Sequence, residues 1–265
     1  MNVKTNVVDG GECSYTGKNA MITCYRFTLT PDHPCQPAAE WAYRLYAALL
    51  EQAPAGFAEL VHADGASPVS QFLEVGETLR WHVTLLGCPA EEALGPVLDT
   101  LVPLRLRKGD ALLTPTLDGK ETVRDVDALF QQAAGANRRH ELHFVTPTAF
   151  KSRGTYLILP SMRLILQSSI KKWNGCFPDC QIEDEDGKGL EAMAEGILCS
   201  RLRLQDDHYR LKRQTIPGFI GTILLENRLN GFHAQLANVL LLFAGYAGSG
   251  IKTTLGMGGV LHSSM

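Results

Sequence analysis

The sequence predicts an α+β fold made of two consecutive units, each ordered strand, helix, strand, strand, helix, strand. Three observations predict it. At 265 residues the chain holds roughly two domains' worth of residues, at about 150 per domain. With 45% apolar and 20% charged residues it can bury sizeable cores, which excludes global disorder. Apolar patterns of period two and period 3.6 then alternate along the chain, in the same order twice.

In the first half a strand is expected over Met21–Thr30, where Tyr25, Phe27 and Leu29 alternate with Cys24, Arg26 and Thr28. Pro31, Pro34 and Pro37 break the chain. A helix follows from Ala38 to Gln52, its apolar stripe running through Trp41, Ala42, Leu45 and Leu49. Gly65-Ala-Ser-Pro68 reads as a turn before an extended piece and a strand at Leu79–Leu86. A helix over Glu91–Leu101, strands near Leu104 and Leu112, and a helix over Val123–Ala134 complete this half. The second half gives a strand at Glu141–Thr146, a helix at Ser161–Trp173, and strands at Leu198–Leu204 and Gly218–Glu226. A helix at Phe232–Gly245 and a short strand at Met257–Leu261 end it, and the acidic Glu183-Asp-Glu-Asp-Gly187 reads as a solvated insertion. Each half approximates βαββαβ, so tandem ferredoxin-like (RRM-like) domains are expected, over residues 1–137 and 138–265.

Composition narrows the function classes. The longest mostly apolar stretch, Leu236 to Ala247, is shorter than the ~20 residues a bilayer needs. No apolar segment follows Met-Asn-Val-Lys-Thr at the start, so no secretory signal, no membrane partner and a cytoplasmic location are expected. A net charge of −3 argues against indiscriminate coating of nucleic acid. The charge is uneven, however: residues 1–137 carry 10 basic and 17 acidic side chains, residues 138–265 carry 15 and 11. The second half is therefore the candidate to hold an anionic partner. Cys176 and Cys180 lack a second Cys/His pair to close a zinc site, so neither metal nor cofactor is expected.

Six glycines fall in the fifteen residues Gly245-Tyr-Ala-Gly-Ser-Gly-Ile-Lys-Thr-Thr-Leu-Gly-Met-Gly-Gly259. A nucleotide P-loop is excluded, because Ile251 separates Gly250 from Lys252 and the glycines follow a helix instead of preceding one. Glycines there could still let backbone N–H groups approach a phosphate as an anion nest. A second candidate is His82-x-Thr84, similar to one motif of two-histidine phosphoesterases, with His262-Ser-Ser264 as a partner motif. Thr is a common strand residue, and His262 falls in what reads as a frayed tail.

The segment Leu240-Leu-Leu-Phe-Ala244, continuing through the glycines, resembles the C-terminal signature of the sixth family of CRISPR-associated (Cas) proteins, RAMP-superfamily endoribonucleases. Leu142-His-Phe-Val-Thr-Pro-Thr-Ala-Phe150, Leu159-Pro160, Ser169-Ile-Lys-Lys-Trp-Asn174 and Pro217-Gly-Phe-Ile-Gly221 are similar to the same family. The resemblance runs from about Phe57 to Val260. It implies a tandem ferredoxin-like RAMP fold, metal-independent cutting of precursor crRNA within its repeats, and repeat RNA, crRNA and other Cas proteins as partners. It also implies a catalytic His after the first helix, here His62, accompanied by a helix Tyr, here Tyr46. Tyr46 shares its helix face with Ala42, Leu49 and Leu50, so core packing competes with that role. The Lys some members carry after the His is missing, and Ser67 and Ser70 occupy the region.

The resemblance also makes the glycine-rich loop, with Gly248, Gly250, Lys252, Thr253, Gly256 and Gly258, an RNA-binding candidate. Lys151, Arg153, Lys171, Lys172, Arg201 and Arg203, with Arg210, Lys212 and Arg213, then read as phosphate contacts. The two alternatives to cleavage of repeat RNA are a RAMP subunit that holds crRNA without cutting, and a two-histidine phosphoesterase.

Overall fold

The computed structural model describes residues 1–5, 21–55, 57, 67–106, 111–134 and 138–265. After a short β1 (Asn2–Thr5), the first unit begins with β2 (Ile22–Pro31). An irregular segment containing Pro34 and Pro37 leads to α1 (Trp41–Leu50). Ala42, Leu45, Tyr46 and Leu49 are its buried residues, the i, i+3, i+4, i+7 stripe of an amphipathic helix. The hairpin β3 (Val69–Val75) and β4 (Leu79–Leu86) comes next. Gly87 (φ 90) turns the chain into α2 (Cys88–Asp99), which has Pro in its first turn where no N–H is needed. A two-residue β5 (Leu104–Arg105) and β6 (Leu112–Val123) finish the sheet, ordered β3-β4-β2-β6-β5 and antiparallel throughout.

α3 (Val126–Ala134) leads to the second unit, opened by β7 (Arg139–Thr148) and a small hairpin, β8 (Phe150–Ser152) and β9 (Thr155–Leu157). α4 (Met162–Cys176) is capped by Ser161, whose Oγ accepts the Leu164 N–H. Then come β10 (Cys180–Glu183), α5 (Lys188–Glu195), the long hairpin β11 (Ile197–Leu211) and β12 (Gln214–Asn227), α6 (Gly231–Ala247), a 3₁₀ turn (Thr253–Leu255) and β13 (Val260–Ser264). This sheet is ordered β11-β12-β7-β13. With the two-residue edge strand β5 set aside, both sheets run second, third, first, fourth in the order their strands occur along the chain. That is the ferredoxin-like order, twice.

Three expectations change. The last strand is β13 at Val260–Ser264, not Met257–Leu261, and His262 stands opposite Leu142 within it instead of in a frayed tail. β11 and β12 run well past the expected limits as a hairpin paired out to Leu211 and Gln214; exposed charged residues along β11, and Pro217 near the start of β12, hide the strand period. The acidic insertion is partly structural, since the Asp184 carboxylate accepts the Gly189 and Leu190 N–H groups at the start of α5.

The first sheet buries its core against α1 and α2. The second packs on α4, α5 and α6, and its core also takes in Met21, Ile22, Leu86 and Val123 of the first unit. α6 is apolar nearly all round, with eight buried side chains, because it covers its own sheet and also meets β3 and β4. β1, first in the chain, pairs antiparallel with β10 of the second unit. Among the described residues no helix is long and apolar enough to cross a membrane.

Candidate nucleic-acid interface at the seam of the two sheets

The glycine-rich loop leaves α6 and runs along the seam. Gly248, Gly250, Gly256 and Gly258 all have positive φ, and each is walled in. A Cβ on Gly250 would fall on the carbonyl oxygen of Ala149, one on Gly258 on that of Ser249, and one on Gly259 on the Phe72 ring. At Gly256 it would meet the Tyr209 hydroxyl and Ala42 of α1. The loop's N–H groups are also engaged: Ser249 donates to the Gly258 carbonyl (2.8 Å), Ile251 to Ala149 (2.9 Å) and Gly258 to Pro147 (3.1 Å). Gly250 donates to Ser168 Oγ (2.9 Å) and Gly259 to Thr146 Oγ1 (2.8 Å). The expected anion nest is therefore largely closed by the chain's own acceptors. The glycines admit protein backbone at the positions where phosphate approach was expected.

Lys172 is corrected for a related reason. Its ammonium donates to the carbonyls of Ala247 (3.0 Å) and Gly248 (2.9 Å), capping the negative end of α6. Burial pushes its pKa down to about 7. It fixes the start of the loop and is not an open surface cation like its neighbour Lys171, which is exposed.

The loop's 3₁₀ turn is bonded into the first unit. Gln71 Nε2 donates to Thr254 O (2.9 Å) and to Ala42 O (3.1 Å), while its Oε1 accepts the Trp81 indole N–H (2.8 Å). Thr254 Oγ1 donates to Val69 O (2.9 Å), and the Tyr209 hydroxyl to Leu255 O (2.6 Å). Sequence reading missed Gln71 entirely; its one signal is an amide at an inward position of a strand. Lys252, in the left-handed region at φ 56, projects from this clamped turn half-buried, and Thr253 beside it is buried.

His62 lies outside the described residues. Those flanking its segment are Phe57, which is buried, and β3, which the loop holds through Val69 and Gln71. Tyr46 is buried in the first core, and its hydroxyl has no hydrogen-bond partner. Burial raises its pKa, which disfavours a phenolate at neutral pH.

The paired-histidine reading also fails on geometry. His82 Nε2 meets Glu74 Oε2 (3.2 Å), and its ring stacks on Phe72 with centroids 4.4 Å apart; burial lowers its pKa. His262 belongs to the other sheet, where its Nε2 meets His140 Nδ1 (3.0 Å). His140 Nε2 in turn reaches Asn238 Oδ1 (2.9 Å), which also accepts from Asn227 (2.6 Å). Because Asn238 Oδ1 accepts, His140 donates from Nε2 and accepts from His262 at Nδ1. Both histidines are thus bonded within the chain. Burial, then the neighbouring His140, pulls His262 down to about 4. Among the described residues no cluster of three or more His, Cys, Asp and Glu is placed to hold a metal ion.

Residues 142–260, from β7 to the start of β13, match the family described as CRISPR-associated endoribonuclease Cas6. A CRISPR-associated endoribonuclease Cas6 of Streptococcus thermophilus is 30% identical over 230 residues, covering 86% of this chain and 93% of the relative. The chain belongs to the Cas6 family. A Cas6 endoribonuclease of Mycobacterium tuberculosis is 28% identical over 240 residues, 88% of this chain and 76% of the relative. A solved Cas6 product complex superposes with a TM-score of 0.72 at 23% identity, covering 91% of this chain and 100% of that one. That likeness is one of fold, the tandem ferredoxin-like arrangement derived above.

Among the basic residues expected to line an RNA path, Lys151, Arg153, Arg201 and Arg203 are exposed. Arg153 forms the tip of the β8–β9 hairpin, and Arg201 and Arg203 lie on the edge strand β11. They lie on two different hairpins, β8–β9 and β11–β12. The structure instead brings together the glycine-rich loop, the N-terminal part of α1 and β3.

Proposed function

We propose that this Cas6-family endoribonuclease binds CRISPR repeat RNA and cuts precursor crRNA within the repeat, releasing mature guides. The observation that carries the reading is family membership across 86% of the chain. The RNA supplies the nucleophile, the 2′-hydroxyl beside the scissile phosphate, so the protein's tasks are in-line geometry, proton transfer and stabilisation of developing charge. His62 is the general acid or base, since an imidazole serves either role near neutral pH. Products are a 2′,3′-cyclic phosphate and a 5′-hydroxyl.

The seam supports this assignment. β3, which follows His62 in the sequence, is bonded to the glycine-rich loop beside Lys252 through Gln71 and Val69. Tyr46 plays no part in proton transfer in this reading. The chain divides at residues 137/138, works in the cytoplasm, and has repeat RNA, crRNA and other Cas proteins of an effector complex as partners.

The test is single-turnover cleavage of the cognate repeat by His62→Ala, together with a repeat carrying one 2′-deoxy substitution upstream of the cut. Loss of a general acid/base costs ~10²–10⁴-fold in rate, with RNA binding kept within a few-fold, and the deoxy RNA should bind but not be cut. Full activity of His62→Ala would move the active site elsewhere. Cleavage of the deoxy RNA would replace the internal nucleophile with an activated water.

A further inference from the structure

A groove of about 720 Å³ separates the outer face of α1 from the turn of the β11–β12 hairpin. Trp41 and Tyr43 supply aromatic surface, and Arg105, Arg210, Lys212 and Arg213 supply positive charge. The Lys212 ammonium lies 5.6 Å from the centre of the Tyr43 ring. Two carboxylates also border the groove, Glu40 and Glu51, and Glu40 Oε1 accepts the Arg210 backbone N–H (3.3 Å), tying hairpin to helix. Its volume suits a nucleotide-sized ligand.

A backbone observation points the same way. Leu211 pairs with Gln214, leaving Lys212-Arg213 as a two-residue turn, and Lys212 sits at φ 56. Glycine, asparagine or aspartate normally fills such a position. Among the described residues, the non-glycine residues with positive φ are Arg153, Lys212 and Lys252. All three are cations, and all three sit on turns around one small core of Ala149, Tyr209, Leu211, Ile216 and Met257, against which Tyr43, Tyr156 and Ile251 pack. Retaining a long cation where glycine would relieve the backbone argues that the charge is used.

We infer that this groove is a subsite for one unpaired nucleotide of the RNA substrate, its base stacked on Tyr43 and its phosphate held by Lys212 and Arg213. The inference rests on the reading of the chain as a repeat-RNA endoribonuclease and assigns that substrate a single-stranded contact point. Aromatic faces beside cations are the chemistry that holds unpaired RNA, because every base has a face to stack.

The test uses uncleavable 2′-deoxy repeat RNA, with single abasic sites placed in turn at each unpaired position. In the parent chain one abasic position should weaken binding roughly 5- to 150-fold, the span of one base–aromatic stack. Tyr43→Leu, which keeps apolar packing, should lose the same factor on intact RNA and be indifferent to that abasic site. Lys212→Gly should move stability and affinity in opposite directions: its Tm rises, since the strained φ is relieved, while its salt slope for RNA falls by about 0.7. The inference is overturned if no abasic position couples to Tyr43, or if Lys212→Gly binds like the parent across a salt titration. Equal weakening on duplex-only RNA would also overturn it, making the groove a stem contact. A parent chain that binds and cuts the repeat while the groove variants are silent leaves the function standing. A parent that neither binds nor cuts it removes both.

Discussion

Gly250→Ala is expected to be among the most damaging small substitutions in the second unit, and Gly154→Ala isolates the reason. Both glycines have positive φ, +79 and +85, but a Cβ at Gly154 meets nothing within 4 Å whereas one at Gly250 falls on the Ala149 carbonyl. An alanine in the left-handed region costs about 1–2 kcal/mol, and Gly154→Ala should lose only that. Gly250→Ala must also displace Ala149, just past the end of β7, an overpacking cost of about 1–3 kcal/mol. It further breaks the Ile251–Ala149 hydrogen bond, worth about 0.5–1.5 kcal/mol. Its total of about 2.5–6.5 kcal/mol is a large share of a typical stability of 5–15 kcal/mol. Urea unfolding followed by circular dichroism and by tryptophan fluorescence measures both variants on one scale. The packing account is refuted if the two differ by less than about 1 kcal/mol. It is equally refuted if Gly250→Ala unfolds like the parent and loses only RNA affinity, since the glycine would then serve phosphate approach.

Tyr46→Phe removes a buried hydroxyl that has no partner, so cleavage should be unchanged and Tm equal or higher; a hundredfold loss in single-turnover rate would return Tyr46 to the chemistry. Lys172→Met should flatten a pH slope: with a folded pKa of about 7 against ~10.4 unfolded, the unfolded chain binds more protons between those values. The parent therefore gains stability as pH rises from 7 toward 10, and urea midpoints at three pH values show whether the variant loses that gain. His262→Gln acts at the acid end. Held at about 4 in the folded chain against ~6.5 unfolded, His262 makes the parent lose stability as pH falls from 6.5 to 4, and the variant should lose less over that window in a Tm-versus-pH series.

The order of elements was legible because each helix and strand writes its own period locally. The α1 stripe already placed Tyr46 four residues from Ala42 and three from Leu49, and the structure buries that face. Other features were illegible because the partner is remote in sequence. Lys171 and Lys172 are neighbours of identical chemistry, and what separates them is the end of α6, some 75 residues on. The glycine count marked the loop as special, but Ala149, Phe72 and Ala42, which decide why, are contributed by three other elements. His262 read as tail until its strand found Leu142. β11 was underestimated because an edge strand exposed to solvent carries Arg and Asp where the period expects apolar residues, and β12 because Pro217 interrupts its start.

The seam also sets how the loop can influence chemistry without touching the reacting atoms. Gln71 is bonded at once to α1, to the 3₁₀ turn and to Trp81, and Val69 accepts from Thr254. The helix before the His62 segment and the strand after it are thus both held by one turn of the second unit. A general acid or base displaced by about 1 Å can lose two orders of magnitude in rate. The glycine-rich loop is therefore better placed to hold α1 and β3 in position, and with them the proposed His62, than to act as an independent phosphate cradle. Lys252 depends for its position on the same left-handed turn, whose Thr254 and Leu255 carbonyls are fixed by Gln71 and Tyr209. Loosening those clamps should then lower the rate of the cleavage step and the affinity together, whereas removing the ammonium alone lowers affinity.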